Sequence, residues 1–374
     1  MKNLLKNLIA AQSTHQTGER LAAEVLTEYF SSRGVPAQLD IFGDDRANCT
    51  AHIKSDSNGP GLIIACHIDV VPANREKWNH EPFEPTEIDG KIFGRGTADM
   101  KGGIAATAKA IADIVESGVK LKGDLIFTAT AGEETDSCGM KRFVEQYKNS
   151  IDNIAGAIIP EPTNFDIVVA HKGLLWLEIV TAGKTAHGSM PQLGINAIDS
   201  MRRLLNELAE SEMFAGNTEI DNLLGQASMS INQISGGAAT NVVPDKCTAC
   251  ADIRTIPNQS HEKIVSDIEN ITNRIKNHHP DFDAHVNILR SVDAFETDPD
   301  CDFVKQLQES TGISTTKTVP YTTDGPFLAN LNLPTVIFGP GKSQLCHKPD
   351  EYIEVTDIEK AAEVFKKIIL DFLT

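Results

Sequence analysis

Four short apolar runs in this chain each stop on, or just before, a side chain that can bind a metal. Leu62–Cys66 runs into His67-Ile68-Asp69, and Leu125–Thr130 is followed by Glu133-Glu134. Ala155–Pro160 delivers Glu161, and Pro334–Phe338 leads through a glycine loop to His347. Runs of this length, bounded by turn residues, read as buried and largely parallel strands. An open α/β sheet keeps its active site at the carboxyl ends of such strands. Two histidines and several carboxylates meeting there describe a hydrolytic two-metal site better than a core.

The chain has 374 residues, too many for one ordinary core, so two domains are expected. The net charge of -18 argues against nucleic-acid binding, which relies on Lys and Arg to neutralise phosphates. The first nine residues interrupt their apolar positions with Lys and Asn, which predicts an amphipathic helix rather than a signal-peptide core. No stretch approaches the ~18 apolar residues of a membrane span. Seven scattered cysteines, an odd number, point to a reducing cytoplasm rather than a disulfide framework. Cys247 and Cys250 have C-x-x-C spacing, but they lie in a stretch that alternates like a strand. Positions i and i+3 of a strand face opposite ways, so a structural role is expected for the pair.

Along the chain, helical patterns near Thr17–Arg33 and Gly103–Ser117 alternate with strand patterns, which is βαβ logic with a mostly parallel, mixed sheet and helices on both faces. From Leu174 the pattern changes. Strands at Leu174–Thr181, Ala227–Ile234, Lys246–Arg254 and Ala284–Leu289 are expected, with helices at Asn196–Ser211 and Ser260–Asn277. That order, β-α-β-β-α-β, is the ferredoxin-like α+β arrangement. Helical Phe303–Thr311, strand Thr335–Phe338 and amphipathic Ile358–Phe372 then resume α/β material. The expected division is a catalytic domain over residues 1–174 and 291–374, interrupted by a smaller domain over 175–290.

The chemistry-bearing segments differ in specificity. His67 and Asp69 fall on one side of an extended chain, where a carboxylate can orient a metal-binding imidazole. Gly94-Arg95-Gly96-Thr97-Ala98-Asp99 suggests a dinucleotide fingerprint, but its spacing is wrong. It also has no strand expected immediately before it and no acidic partner about 20 residues on, so a nicotinamide-binding oxidoreductase is rejected. Asp99 then reads either as a carboxylate able to bridge two cations or as an N-cap of the following helix. Adjacent Glu133 and Glu134 invite a split of roles, one binding metal and one taking a proton from water. The prolines flanking Glu161 restrict its backbone and its aim.

Taken in order, H-x-D, Asp, Glu-Glu, Glu and His resemble the dizinc aminoacylase and carboxypeptidase family over almost the whole chain. Trp78, Pro82-Phe83 and Asp89-Gly90-Lys91, leading into Gly94-Arg95-Gly96, look like its acetylornithine deacetylase and succinyl-diaminopimelate desuccinylase branch. The resemblance implies two Zn2+, with Co2+ or Mn2+ able to serve the same ligands. It puts His67 and Glu161 in one site, Glu134 and His347 in the other, and Asp99 between them. It makes Glu133 the general base for a metal-activated water and Asp69 the support of His67. In the inserted domain it makes His187, in Gly183–Pro191, an oxyanion donor reaching the partner subunit. Asn241, in Gly236–Pro244, would contact substrate or oxyanion, and Arg254 would bind the substrate α-carboxylate. Gly325 would join the substrate site. A homodimer through residues 175–290 is also implied.

The function so expected is hydrolysis of the amide bond of a small N-acyl amino acid. His347–Tyr352 after Gly339-Pro340-Gly341 looks like the acetylornithine side, and Thr323-Asp324-Gly325 like the desuccinylase side. A dipeptidase or carboxypeptidase of the same fold is the nearest alternative. A non-catalytic binding protein would be expected to have lost Glu133 or a ligand, and here every position is chemically competent.

Overall fold

In the computed structural model, which describes residues 1–148, 153–211 and 220–374, the four apolar runs become four neighbouring strands. Their order is Gly123–Thr130, Gly59–His67, Ile154–Ile159, Thr335–Ile337, and every pair among them is parallel. Register aligns their carboxyl ends, with His67 opposite Thr130 and Ile159 opposite Ile337. Antiparallel strands Arg46–Ile53 and Ala37–Phe42 extend one side, and Ile167–His171 pairs antiparallel on the other. Consecutive residues of a strand face opposite sides, yet Leu62 through His67 are all buried, so both faces of the sheet are covered.

The chain divides into two units. The first comprises Met1–Val169, Glu296–Lys317 and Thr323–Thr374, and the second Ala170–Phe295 with Thr318–Thr322. The boundary at Ala170 falls inside the strand Ile167–His171, and the next strand begins at Gly173. Where the first unit is interrupted, the Thr297 N–H donates to the Val169 carbonyl at 2.8 Å.

In the first unit, Gly102–Ser117 is an Ala-rich helix whose small side chains let almost its whole surface be buried. Gly118, at φ 71°, ends it in the left-handed conformation that glycine tolerates. The last helix, Val355–Leu373, buries Ile358, Ala361, Ala362, Phe365, Ile368 and Ile369, the i, i+3, i+4 stripe of an amphipathic helix. The first helix, Lys2–Ala10, buries Leu4, Leu5, Leu8 and Ile9. One expectation fails here: a strand, Lys91–Phe93, does precede Gly94. It is three residues long and antiparallel to Thr86–Ile88 and Tyr352–Glu354, joined to the former by the Asp89-Gly90 turn. Too short to show periodicity, it belongs to no parallel βαβ crossover.

The second unit holds an antiparallel sheet ordered Ser228–Gly236, Lys246–Thr255, Gly173–Ala182, Asp283–Val292. Helices Ala197–Glu210 and His261–His278 close its core with Met201, Leu204, Leu208, Ile264, Ile268 and Ile271 against Leu175, Leu177, Ile179, Ala251 and Ile253. Asn196 and Ser260 cap the two helices through their side chains. This is the ferredoxin-like order. On Lys246–Thr255 strictly alternate residues are buried, so Cys247 lies in the core and Cys250 on the opposite face. All seven cysteines are free thiols. Among the described residues no helix is long and apolar enough to cross a membrane.

Candidate metal centre

His67, Glu134 and Glu161 sit where buried strands of the first unit give way to turns, while Asp99 lies in the turn Thr97–Lys101 and His347 follows the short turn Ser343–Leu345. His67 is the last residue of its strand. Its Nδ1 lies 3.0 Å from the backbone carbonyl of Asp69 and 3.5 Å from that residue's carboxylate. Its Nε2 faces Asp99 Oδ1 at 3.0 Å and Glu161 Oε1 at 3.3 Å. Asp99 occupies the irregular turn Thr97–Lys101, and the next helix is capped from Lys101, so Asp99 is not an N-cap. Its second oxygen, Oδ2, lies 3.2 Å from His347 Nε2, and Glu134 Oε1 lies 2.9 Å from the same nitrogen. One carboxylate thus has one oxygen on each histidine.

The Glu133-Glu134 turn is built by its neighbours. Gly132, at φ 83°, accepts from the N–H groups of Thr135, Asp136 and Ser137. Asp69 braces the turn from the other side. Its Oδ1 accepts from Glu133 N–H at 3.1 Å and its Oδ2 from Glu134 N–H at 3.0 Å. Asp69 therefore holds His67 chiefly through its backbone and the two glutamates through its carboxylate. Glu161 depends on glycine packing: a Cβ on Gly103 would stand 2.2 Å from the Pro160 carbonyl, and one on Gly339 2.6 Å from it. Larger residues there would displace the segment that aims Glu161.

Donor atoms of His67, Asp99 and Glu161 lie within 4.8 Å of one another, as do those of Asp99, Glu134 and His347. These two groups share Asp99. Glu133 is in neither, but forms a third group with His67 and Glu134. Nitrogen and carboxylate donors in such sets suit zinc, and also cobalt or manganese. The cluster's electrostatics also fit cations. Burial, with Glu134, Asp324 and Glu161 adding like charge, pushes Glu133 well above the ordinary carboxylate range. Burial and Asp99 push Glu161 up to about 7. Burial would raise Asp99 too, but hydrogen bonds from His347 and His67 hold it below its usual value. The hydrogen bonds that His347 gives to Asp99 and Glu134 raise its pKa to about 10. Four carboxylates crowd two imidazoles, and the protons held on Glu133, Glu161 and His347 mark where metal ions would instead supply positive charge.

The remaining expected site residues lie elsewhere. Gly325 is buried at the start of the short helix Gly325–Ala329, and its N–H donates to Thr323 Oγ1 at 3.0 Å. In the second unit His187 is exposed, with Nδ1 2.7 Å from Ser189 Oγ. The next N–H, of Gly188, donates to the Asn241 carbonyl at 2.7 Å, so the His187 and Asn241 segments are zipped together. Arg254 stands on the sheet face opposite the helices and pairs with Asp252 through Nε at 2.7 Å and Nη2 at 3.1 Å. Trp176 Nε1 donates to the same carboxylate. Among the other histidines, His52 pairs with Asp124 and His261 with Thr255.

Sequence reasoning missed three supports. Glu19, fully buried, pairs with Arg46 at 2.6 Å, and Arg46 reaches over Gly132. Burial and the charge of Asp69 push Glu19 up to about 7. Asp324 is buried and acts electrostatically on Glu133. Glu351 is buried against Arg95 and the turn that carries Asp99. A lone Glu in a loop has no periodicity to mark it. The spacing of Glu351 four residues after His347 was the only available signal.

Residues 63–371 match the family model described as peptidase family M20/M25/M40. A probable succinyl-diaminopimelate desuccinylase of Staphylococcus aureus is 31% identical over 411 residues, covering 99% of this chain and 97% of the relative. An acetylornithine deacetylase of Buchnera aphidicola is 30% identical over 357 residues, covering 94% and 91%. Among solved structures, an M20 family metallo-carboxypeptidase from Sulfolobus solfataricus is similar with a TM-score of 0.83 at 20% identity, covering 99% of this chain and 98% of that one. Aminopeptidase PepT from Bacillus cereus is similar with a TM-score of 0.79 at 23% identity, covering 99% and 97%. With residues 63–371, more than four-fifths of its length, matched, the chain belongs to the M20/M25/M40 peptidase family of metal-dependent hydrolases.

Proposed function

We propose that this protein is a two-zinc amidohydrolase that removes the acyl group from a small N-acyl amino acid. The observation that carries the reading is the pair of donor groups sharing Asp99, with Glu133 beside them and outside both. His67, Asp99 and Glu161 would hold one ion, and Asp99, Glu134 and His347 the other. When bound, the ions would polarise the amide carbonyl and make a water acidic enough to attack it. Glu133 takes the proton of the attacking water and hands it to the departing amine. Its raised proton affinity suits a group that must both accept and donate near neutral pH. Asp69 fixes the backbone of Glu133 and Glu134, so base and ligand keep one spacing.

We assign the substrate-facing roles in residues 175–290 to three groups. His187 donates a hydrogen bond to the developing oxyanion, reaching the site of a second copy in a homodimer formed through this domain. Asn241 supports the same oxygen or the substrate. Arg254, oriented by Asp252, offers its remaining donors to the α-carboxylate, a geometry guanidinium suits. Gly325 lines the substrate site. The names of the desuccinylase and deacetylase relatives favour an acylated amino acid. A second reading, a peptidase acting on short peptides, is favoured by the aminopeptidase and carboxypeptidase among the similar structures.

The test is amine release by zinc-loaded protein with Glu133→Ala as blank, on N-succinyl-diaminopimelate, N-acetylornithine, other N-acyl amino acids and simple dipeptides. Preference for one acyl amino acid is expected. Turnover of dipeptides alone would replace the deacylase reading with the second one.

A further inference from the structure

Four residues beyond His347 stands a carboxylate that the chemistry above does not use. Glu351 is 1% exposed, yet it gathers donors from a whole turn. Its Oε1 accepts from the N–H groups of Ala98 at 2.8 Å and Asp99 at 3.1 Å. Its Oε2 accepts from Arg95 Nη1 at 2.6 Å and from the Gly96 N–H at 3.2 Å. Its backbone carbonyl takes the Gly94 N–H at 2.9 Å. Arg95 in turn donates to the Lys348 carbonyl at 3.3 Å and lies over the Trp78 ring, 5.0 Å from its centroid. Next door, Asp350 Oδ1 accepts from the Asn79 N–H at 2.8 Å.

Arg95 supplies the charge partner that a buried carboxylate requires, and the remaining acceptor sites of Glu351 are filled by the backbone N–H groups of Gly96, Ala98 and Asp99. They belong to a turn where Asp99, at φ -118° and ψ 97°, is not helical and no ladder takes its N–H. Buried N–H groups must be satisfied by something. Here the acceptor is a side chain from the segment that also delivers His347.

We propose that Glu351 is a positioning residue for the metal centre. It clamps the backbone of Ala98 and Asp99, so that Asp99 presents one oxygen to His67 and the other to His347. Because Glu351 and His347 lie on one short segment, the clamp sets two ligands against each other as a unit, and Arg95 balances its charge. The inference rests on the reading of Asp99 as the shared ligand.

The experiment is a Co2+ titration of metal-free wild type, Glu351→Gln, Arg95→Lys and Asp99→Ala, followed by calorimetry and by visible absorption. Glu351→Gln keeps the volume but offers a single acceptor oxygen, so half the clamp goes. Wild type should take two ions. Glu351→Gln should bind at least one of them about 10- to 100-fold more weakly, the range seen when a ligand's support is removed. Its cobalt bands should also shift, and kcat should fall with KM nearly unchanged. Arg95→Lys should weaken binding in the same direction, and it decides the matter if Glu351→Gln does not fold. Wild-type affinities and spectra in both variants, with Asp99→Ala losing ions, would overturn the clamp alone. Wild type that takes no pair of ions would overturn the shared-ligand reading and the clamp with it.

Discussion

The donor cluster of the first unit and the trio His187, Asn241 and Arg254 of the second are built on opposite principles. In the first, His67, Glu133 and Glu161 are buried, and Asp69 and Glu351 satisfy the backbone that carries Glu133, Glu134 and Asp99. His67 ends a strand, and the backbones of Glu133, Glu134 and Asp99 are each held by a side chain from another segment. In the second, His187 and Asn241 are exposed, the His187 ring meets Ser189 two residues on, the Asn241 carbonyl takes the Gly188 N–H, and Arg254 leans on a residue two positions away. Preorganised groups can do chemistry without reorganising. Exposed groups can instead complete a site when substrate arrives. The contrast teaches which residues should alter metal binding and which should alter turnover alone.

The largest effect should come from Glu133. Glu133→Ala should lower kcat about 10^2- to 10^4-fold, the usual contribution of a positioned acid–base group. Metal analysis should still find two ions per chain, and loss of an ion would move Glu133 into the ligand set. His187→Ala should lower kcat about 10^2-fold, as removal of one oxyanion donor does, with metal content unchanged. If it released metal, the two regions would not be separable as described. Mixed with Glu133→Ala chains, it should regain some activity if His187 serves the partner copy, and heterodimers shown to form but inactive would refute that.

Asp69→Ala should act on the donor cluster rather than on one step. It frees two buried N–H groups, so metal affinity should fall about 10- to 100-fold, read by calorimetry. The smallest effect concerns pH. Glu19 has its carboxyl pushed up to about 7 from an ordinary 4.5, so ionising it opposes folding. The stability its neutral form supplies is complete below about pH 4.5 and is lost as pH rises through 7. Glu19→Gln should match wild type near pH 4 and exceed it above pH 7, by on the order of 1 kcal/mol in urea unfolding. No pH-dependent difference would mean that Arg46 already neutralises Glu19.

What could be read beforehand followed from periodicity and order. Buried parallel strands announce themselves as apolar runs, and Leu62–Cys66, Leu125–Thr130, Ala155–Pro160 and Pro334–Phe338 overlap adjacent strands, with Pro160 and Pro334 left outside them. The β-α-β-β-α-β unit was equally legible, because its strands and helices alternate cleanly. Lys91–Phe93 was missed because three residues cannot display a period of two. Glu19, Asp324 and Glu351 were missed for a different reason. Their partners lie on segments distant in sequence, and only the closed fold brings them together. Asp69 was half read: its nearness to His67 follows from spacing, but its grip on Glu133 and Glu134 spans more than 60 residues.

The hydrogen bond from Thr297 to Val169 has a consequence for how such a protein can vary. It ties together the two ends of the first unit's longer interruption, Ala170–Phe295. That break lies beyond the four parallel strands, at the end of Ile167–His171, so none of the strand ends bearing ligands is cut. Chain of almost any length could be looped out there at little entropic cost to the donor cluster, since the ends already meet. The junction is a graft point. Recombination there could exchange the stretch Ala170–Phe295 while leaving uncut the strand ends that precede Glu133, Glu134 and Glu161 and the strand that ends on His67.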